Sequence, residues 1–361
     1  MNRWILPVWR FLRRKGARLG IFYVITLPLL LLSVIAGISI GSTHIDPSVI
    51  VRVLGGKLLP AGWVSMNGID QPDAVIVWLI RVPRVLVAGL VGAGLATGGV
   101  VMQGLFRNPL AEPGLAGAGA GAVLGAVIAF VAGWAGHSVV TLPLLAMLGA
   151  LGALIMVYAM ATRGGVSPVS TLLLAGVATS SLLGAVSSLL LSLNIVDWQV
   201  AQEIVFWMMG GLDARTWTHV WLCAPFVLLG VVAAILQARD LDLLQQGEET
   251  ASSLGVNVEA SKRLLMLTAA ILTGAAISVA GMIGFVGLIV PHAVRMIIGP
   301  SNRSLLPASA VFGALFLILA DLLARTVHPA TEIRLGVVTA LAGGPFFIIL
   351  LLRSCREMEE Q

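Results

Sequence analysis

From Leu19 to Ile40 the chain carries no charged side chain. A run of that length meets the ~20 apolar residues that one α-helix needs to cross a ~30 Å hydrocarbon core. About ten such runs follow one another, at residues 19–40, 78–105, 114–133, 140–161, 170–193, 216–236, 264–283, 285–299, 306–327 and 335–352. Lipid offers no water to bond a peptide group, so runs of this kind must close their own hydrogen bonds as helices. The expected fold is therefore an all-α integral membrane protein. Composition agrees: 11% of residues are charged and 58% hydrophobic, against roughly 25% charged in a soluble domain. The eighth run is short, and Gly281, Gly284 and Gly287 separate it from the seventh without any charge.

Orientation follows from lysine and arginine. With the start of the chain inside, Arg3, Arg10, Arg13, Arg14, Lys15, Arg18, Arg107, Arg163, Arg239, Lys262, Arg263, Arg295, Arg303, Arg353 and Arg356 fall on the inner side. Arg52, Lys57, Arg81, Arg84, Arg215, Arg325 and Arg334 fall outside. Both termini are thus expected in the cytoplasm of a bacterial cell, with the chain multi-pass in the inner membrane. The first run exceeds a signal-peptide core and lacks a small-residue cleavage site, so it reads as a retained helix. The net charge of +5 is spread by membrane side and forms no aromatic-interleaved patch, which argues against nucleic acid. The outer stretch 41–77, with Asp46-Pro47 and Gln71-Pro72-Asp73, is expected to fold over the outer face.

One long polar insert divides the chain. Residues 237–263 read QARDLDLLQQGEETASSLGVNVEASKR, with 19–236 before and 264–352 after it in a single transmembrane domain, 1–361. Its chemistry predicts two short helices. Glu248 and Glu249 suit a helix start, Gly255 stands where a left-handed C-cap needs glycine, and Asn257 caps the second helix.

Few residues offer chemistry. Asp321 and Arg325 stand four apart near the outer end of the ninth run and are expected to pair at the interface. His44, His137, His219, His292 and His328 are scattered singly, and Cys223 and Cys355 make no disulfide or metal pattern. Gly56-Lys57 lacks the rest of a P-loop, so ATP hydrolysis is not expected in this chain. Residues 103–115, QGLFRNPLAEPGL, and 164–171, GGVSPVST, are proline-broken connections on the inner side, and together they suit a constriction. An ion- or proton-coupled secondary carrier is the alternative, weakened by the scarcity of acids at mid-membrane. A membrane-embedded enzyme lacks a catalytic constellation.

Taken in order, several segments resemble the FecCD-type permeases, the membrane subunits of binding-protein-dependent ABC importers for ferric siderophores, haem and cobalamin. They are Arg81-Val82-Pro83-Arg84, the RNPLAEP core ending at Pro113, Leu172 to Val177, Ser253-Leu254-Gly255-Val256, GFVGLIVPHAVR from Gly284 to Arg295, Leu305-Leu306-Pro307, Ala320-Asp321 and LGVVTALAGGPFF from Leu335 to Phe347. The resemblance implies a type II importer permease fold with cytoplasmic coupling helices between the sixth and seventh spans. It also implies partners: a second permease copy, two P-loop ATPase chains that hold ATP and magnesium, and a substrate-binding protein. No cofactor is expected in this chain.

Carried to these positions, the resemblance implies that Arg81, Arg84 and Arg325 dock the binding protein. Asn108, Pro109 and Leu110, with Ser167, Ser170 and Thr171, would form a cytoplasmic gate. Thr179, Ser180, Ser181, Ser187 and Ser188 would line the path, and Glu248, Glu249, Ala251, Leu254 and Gly255 would contact the ATPase. The expected cargo is a ferric siderophore first, then haem, then cobalamin, moved by alternating access. Arg334 stands where the family usually has proline, and residues 41–77 match nothing specific.

Overall fold

The computed structural model describes residues 15–41, 43–60, 63–65, 68–194, 198–328 and 331–359. Arg3, Arg10, Arg13 and Arg14 lie outside the described residues, as do the side chains of Lys15, Arg353, Cys355 and Arg356. Described regular structure is helical. In chain order it comprises α1 (Lys15–Ser39), α2 (Pro47–Leu58), α3 (Gln71–Leu105), α4 (Ala118–Val131), α5 (Thr141–Ala161), α6 (Val169–Leu193), α7 (Trp198–Met208), α8 (Trp217–Leu236), α9 (Ala238–Gln246), α10 (Glu248–Ser253), α11 (Val258–Ala280), α12 (Val286–Ile298), α13 (Asn302–Thr326) and α14 (Leu335–Glu359).

Among the described residues, α1, α3, α5, α6, α8, α11 and α13 are long and apolar enough to cross a membrane. Helices α4 and α12 and the Leu335–Ile349 part of α14 are shorter apolar elements. Each of the ten expected runs is thus helical, but their limits move. Helix α3 starts at Gln71, with Pro72 in its first turn, and passes through a π-helical turn at Ile76–Arg81. Helix α11 starts at Val258, because the Asn257 carboxamide accepts the Ala260 N–H at 3.1 Å. Asn257 therefore caps a spanning helix, and both short helices of the insert, α9 and α10, precede it. Two elements were not expected from the sequence, α2 and α7. The first is capped by Asp46, which accepts the Ser48 N–H at 2.8 Å, and it buries Ile50 and Val53.

Burial ranks the helices. Most of the apolar window of α11 is inside the fold (78%), against 17% for α6. Helix α6 therefore lies at the edge of the single chain, with Leu174, Leu182, Leu189 and Leu193 uncovered. Helices α3 and α13 touch backbone to backbone: a Cβ on Gly92 would stand 2.1 Å from the Gly313 carbonyl oxygen. Gly121 and Gly149 do the same for α4 and α5. Lipid supplies no hydrophobic drive between helices, so close packing at small residues has to hold such pairs.

Helix α12 has 13 residues, about 20 Å at 1.5 Å per residue, which is too short to span alone. It begins inside the bundle, where the Gln103 side chain donates to the carbonyls of Gly287 and Leu288 at 3.3 and 3.4 Å. Of the non-helical residues before it Gly281 and Ile283 are buried, while Met282 is exposed and lines a cavity, and irregular backbone survives at membrane depth where it is buried in protein or lines a cavity. There Gly211 N–H donates to the Ala280 carbonyl at 2.8 Å.

Candidate functional site

At one end of the bundle the three arginines expected to dock a partner are turned inward. Arg81 is 4% exposed and donates to the carbonyls of Ile38, Ser39 and Thr43, closing the end of α1. Those carbonyls have no partner within the helix, and a cation there also meets the negative end of the dipole. Arg84 donates to Asp321 at 2.9 Å and to Glu332 at 2.9 and 3.1 Å. Arg325 pairs with Asp321 at 3.5 Å and donates to the Gly37 carbonyl at 2.6 Å. In this arrangement all three guanidinium groups are bonded within the chain, to its own carboxylates and carbonyls. The predicted Asp321–Arg325 pair forms, yet Asp321 is buried and shared with Arg84.

Two connections complete this end. Asp213, between α7 and α8, pairs with Arg334, whose guanidinium lies 4.4 Å from the centre of the Phe206 ring. Asp213 also faces Glu332. Burial raises the Asp213 carboxyl above its usual range, and the neighbouring Glu332 raises it further. Burial pushes Glu332 upward too, but the Arg84 hydrogen bond and charge outweigh it and hold Glu332 below the usual range.

At the opposite end, residues 103–113 form a rigid connection. Arg107 takes a left-handed φ of 49°, and the Asn108 side chain accepts the Leu110 N–H at 2.9 Å, an Asx turn. Pro109 is exposed, while Asn108 and Leu110 are half-buried. The second expected gate strip splits. Ser170 and Thr171 are exposed in the first turn of α6, but Ser167 is fully buried and bonded, so it supports the strip and does not line it.

The five hydroxyls of α6 split in the same way. Ser181 and Ser188, seven residues apart, share the open face. Thr179 and Ser187 are buried inside the chain, Thr179 against Gly117 and Ser187 donating to the Leu183 carbonyl at 2.8 Å. Ser180 and Ser181 line a cavity of about 470 Å³ with Glu112, Val177, Met208 and Met282. Glu112 accepts the Phe285 N–H at the start of α12, and burial raises its carboxyl. Phe285 itself holds a left-handed φ of 68°. A carboxylate at a helix N-terminus meets the positive end of the dipole. The sequence reading passed over Glu112, although it lies inside a segment singled out for its prolines.

The insert docks onto this same end. Leu241 and Leu244 of α9 are buried, with Leu241 against Gly104 of α3. Asp242 accepts the N–H and side-chain amide of Asn302 at 2.9 and 2.7 Å, which fixes α9 to the start of α13. In α10, Glu249 and Leu254 are exposed, Leu254 by 55%, and Gly255 caps the helix with φ 85°. Ala251 is buried within the chain. Glu248 is bonded to Lys262 at 3.2 Å.

Residues 29–353 match the model of the FecCD transport family. The cobalamin import system permease protein of Halobacterium salinarum is 46% identical over 79% of this chain and 75% of its own length. The hemin transport system permease protein of Yersinia pestis is 44% identical over 77% of this chain and 83% of its own. A solved metal-chelate type ABC transporter in an inward-facing conformation superposes with a TM-score of 0.79. It is 30% identical and covers 92% of this chain and 99% of that one.

Proposed function

The chain belongs to the FecCD transport family, and on that premise we propose that it is the permease subunit that carries a large metal chelate across the cytoplasmic membrane by alternating access. Metal tetrapyrroles, cobalamin and haem, stand ahead of ferric siderophores in this reading. That reverses the order expected from the sequence, and the two relatives named for cobalamin and hemin support it. The working assembly has two copies of this chain, two ATPase chains carrying ATP and magnesium, and a substrate-binding protein on the outer face. Both termini and the insert face the cytoplasm.

One observation carries the reading. The exposed end of α10, the Asn108 turn and the start of α6 lie at the same end of the bundle, so a partner pushing on Leu254 and Glu249 acts beside the constriction. Ser181, Ser188 and Ser180 then give the path weak, wettable contacts that let cargo leave. These three hydroxyl positions need no strong site, because affinity resides in the binding protein.

The test is uptake of labelled cobalamin or haem into proteoliposomes that hold the permease, its ATPase and its binding protein, with ATP inside. Concentrative uptake dependent on all three supports the reading. Accumulation by the permease alone under an ion gradient overturns it in favour of a coupled carrier, for which Glu112 is the acid to test. Thermal stabilisation of the binding protein by each chelate orders the cargo candidates.

A further inference from the structure

Lys262 is completely buried, at 0% exposure. A lysine tolerates that only where anions and carbonyls replace water. Its ammonium draws on three places in the chain. Glu259, one turn earlier on α11, lies at 2.5 Å; Glu248, the first residue of α10, lies at 3.2 Å; and the Ser167 carbonyl lies at 2.7 Å. An ammonium has three donors, so the set is complete.

The second carboxylate oxygen of Glu259 accepts the Ser167 N–H at 3.2 Å. Both main-chain polar groups of Ser167 are therefore held by one turn of α11. The Ser167 and Thr162 hydroxyls share a further bond at 3.0 Å, and the Arg163–Val166 bridge closes the turn between them. Ser167 immediately precedes Pro168, the N-cap of α6. The proline ring fixes its own φ and restricts the residue before it, so a displacement of Ser167 passes to α6 with little slack.

We propose that Lys262 is the positioning residue through which movement of the insert reaches the start of α6, a role that rests on the importer reading. The link runs from α10 through Glu248 to Lys262, then through Ser167 and Pro168 to the helix that carries Ser180, Ser181 and Ser188. Apolar contact would let these elements slide. A filled set of charge-assisted bonds fixes one arrangement and carries both push and pull.

The test uses Lys262→Met, which keeps the volume and removes the charge, and Lys262→Arg, which keeps the charge. In proteoliposomes with the full complex, ATP hydrolysis by Lys262→Met stays within about twofold of wild type while cargo uptake falls about tenfold, and Lys262→Arg recovers part of the uptake. In the purified full-length permease, the amides of residues 162–171 exchange hydrogen faster in Lys262→Met, and those in the middle of α13 do not. An unchanged ratio of ATP hydrolysed to cargo moved overturns the proposal, as does a parallel fall of both activities with general loss of melting temperature. Unaltered exchange in the turn overturns the tie itself. A wild-type complex that hydrolyses ATP and takes up nothing defeats the importer reading, and this role with it.

Discussion

Arg84 and Asp321 lie 237 positions apart in sequence and bond through both the Nη2 and Nε nitrogens of the guanidinium, at 2.9 and 3.1 Å. The pair joins α3 to α13 about two helical turns from Gly92 and Gly313, where the two backbones touch. Removing one partner strands a buried charge, which costs about 3–5 kcal/mol where no water replaces the lost group. Replacing both with apolar residues of similar size removes that penalty but leaves Arg325, which shares Asp321, without its carboxylate. Arg84→Met is expected to lower the melting temperature of the detergent-solubilised protein steeply, and Arg84→Met with Asp321→Leu to regain part of it. A double variant as unstable as the single one would show that Arg84 acts through something other than Asp321.

Glu332 gives the same end a pH dependence. Its folded pKa lies below the ordinary glutamate value of about 4.5 because of Arg84. The stability it contributes is complete above 4.5 and is lost as pH falls through the folded value. Asp213 runs the other way: its raised pKa favours the fold at low pH and that contribution declines as pH rises through the folded value. Both side chains are more than two-fifths exposed, so solvent screening keeps either effect small. Between pH 6 and pH 4 the wild-type melting temperature is expected to drop about 1–3 °C more than that of Glu332→Gln. Equal slopes for the two proteins would remove Glu332 from the account.

Glu112 holds the start of α12 within the bundle. In Glu112→Gln the side-chain oxygen still accepts the Phe285 N–H and only the charge at the helix N-terminus is lost, a change of about 0.3–1 kcal/mol. In Glu112→Ala that N–H is left buried without its partner, at about 1–3 kcal/mol. The melting temperatures should therefore fall in the order wild type, Gln, Ala. Uptake should follow the same order, because Glu112 lines the cavity shared with Ser180 and Ser181. Ala melting no lower than Gln would mean that water reaches Phe285.

The spans were legible because a run such as 19–40 leaves lipid only one backbone solution. The insert was legible because charge there is cheap in water and costly anywhere else. Burial of single residues was not legible. Arg81, Arg84 and Arg325 read as outer charges, since a sequence gives their height along the membrane axis and says nothing about which way each side chain turns. Lys262 looked like one more inner-side cation because its partners, Glu248 and Ser167, stand 14 and 95 positions away. Ala251 and Ser167 are buried for the same reason, since their packing partners are not visible in the local sequence. Helix α7 was missed because Gln202 and Glu203 break the apolar pattern that the reading relied on.

Leu254 is the remaining test of the insert. It is 55% exposed at the end of α10, just before the left-handed Gly255, while the rest of the insert is anchored through Leu241, Leu244 and Asp242. An exposed leucine on so short a helix adds little to folding, so Leu254→Asp should leave the melting temperature of the isolated permease unchanged within about 1 °C. If the ATPase packs there, a charge at a central apolar contact costs more than about 1–2 kcal/mol, so its affinity should fall by tenfold or more. Titration of the purified ATPase against the permease in nanodiscs measures it. A loss of affinity at constant melting temperature places the partner on α10. Unchanged affinity moves the contact away from Leu254, toward the exposed Asn108 turn or the start of α6, and the insert would then brace those elements without being pushed itself.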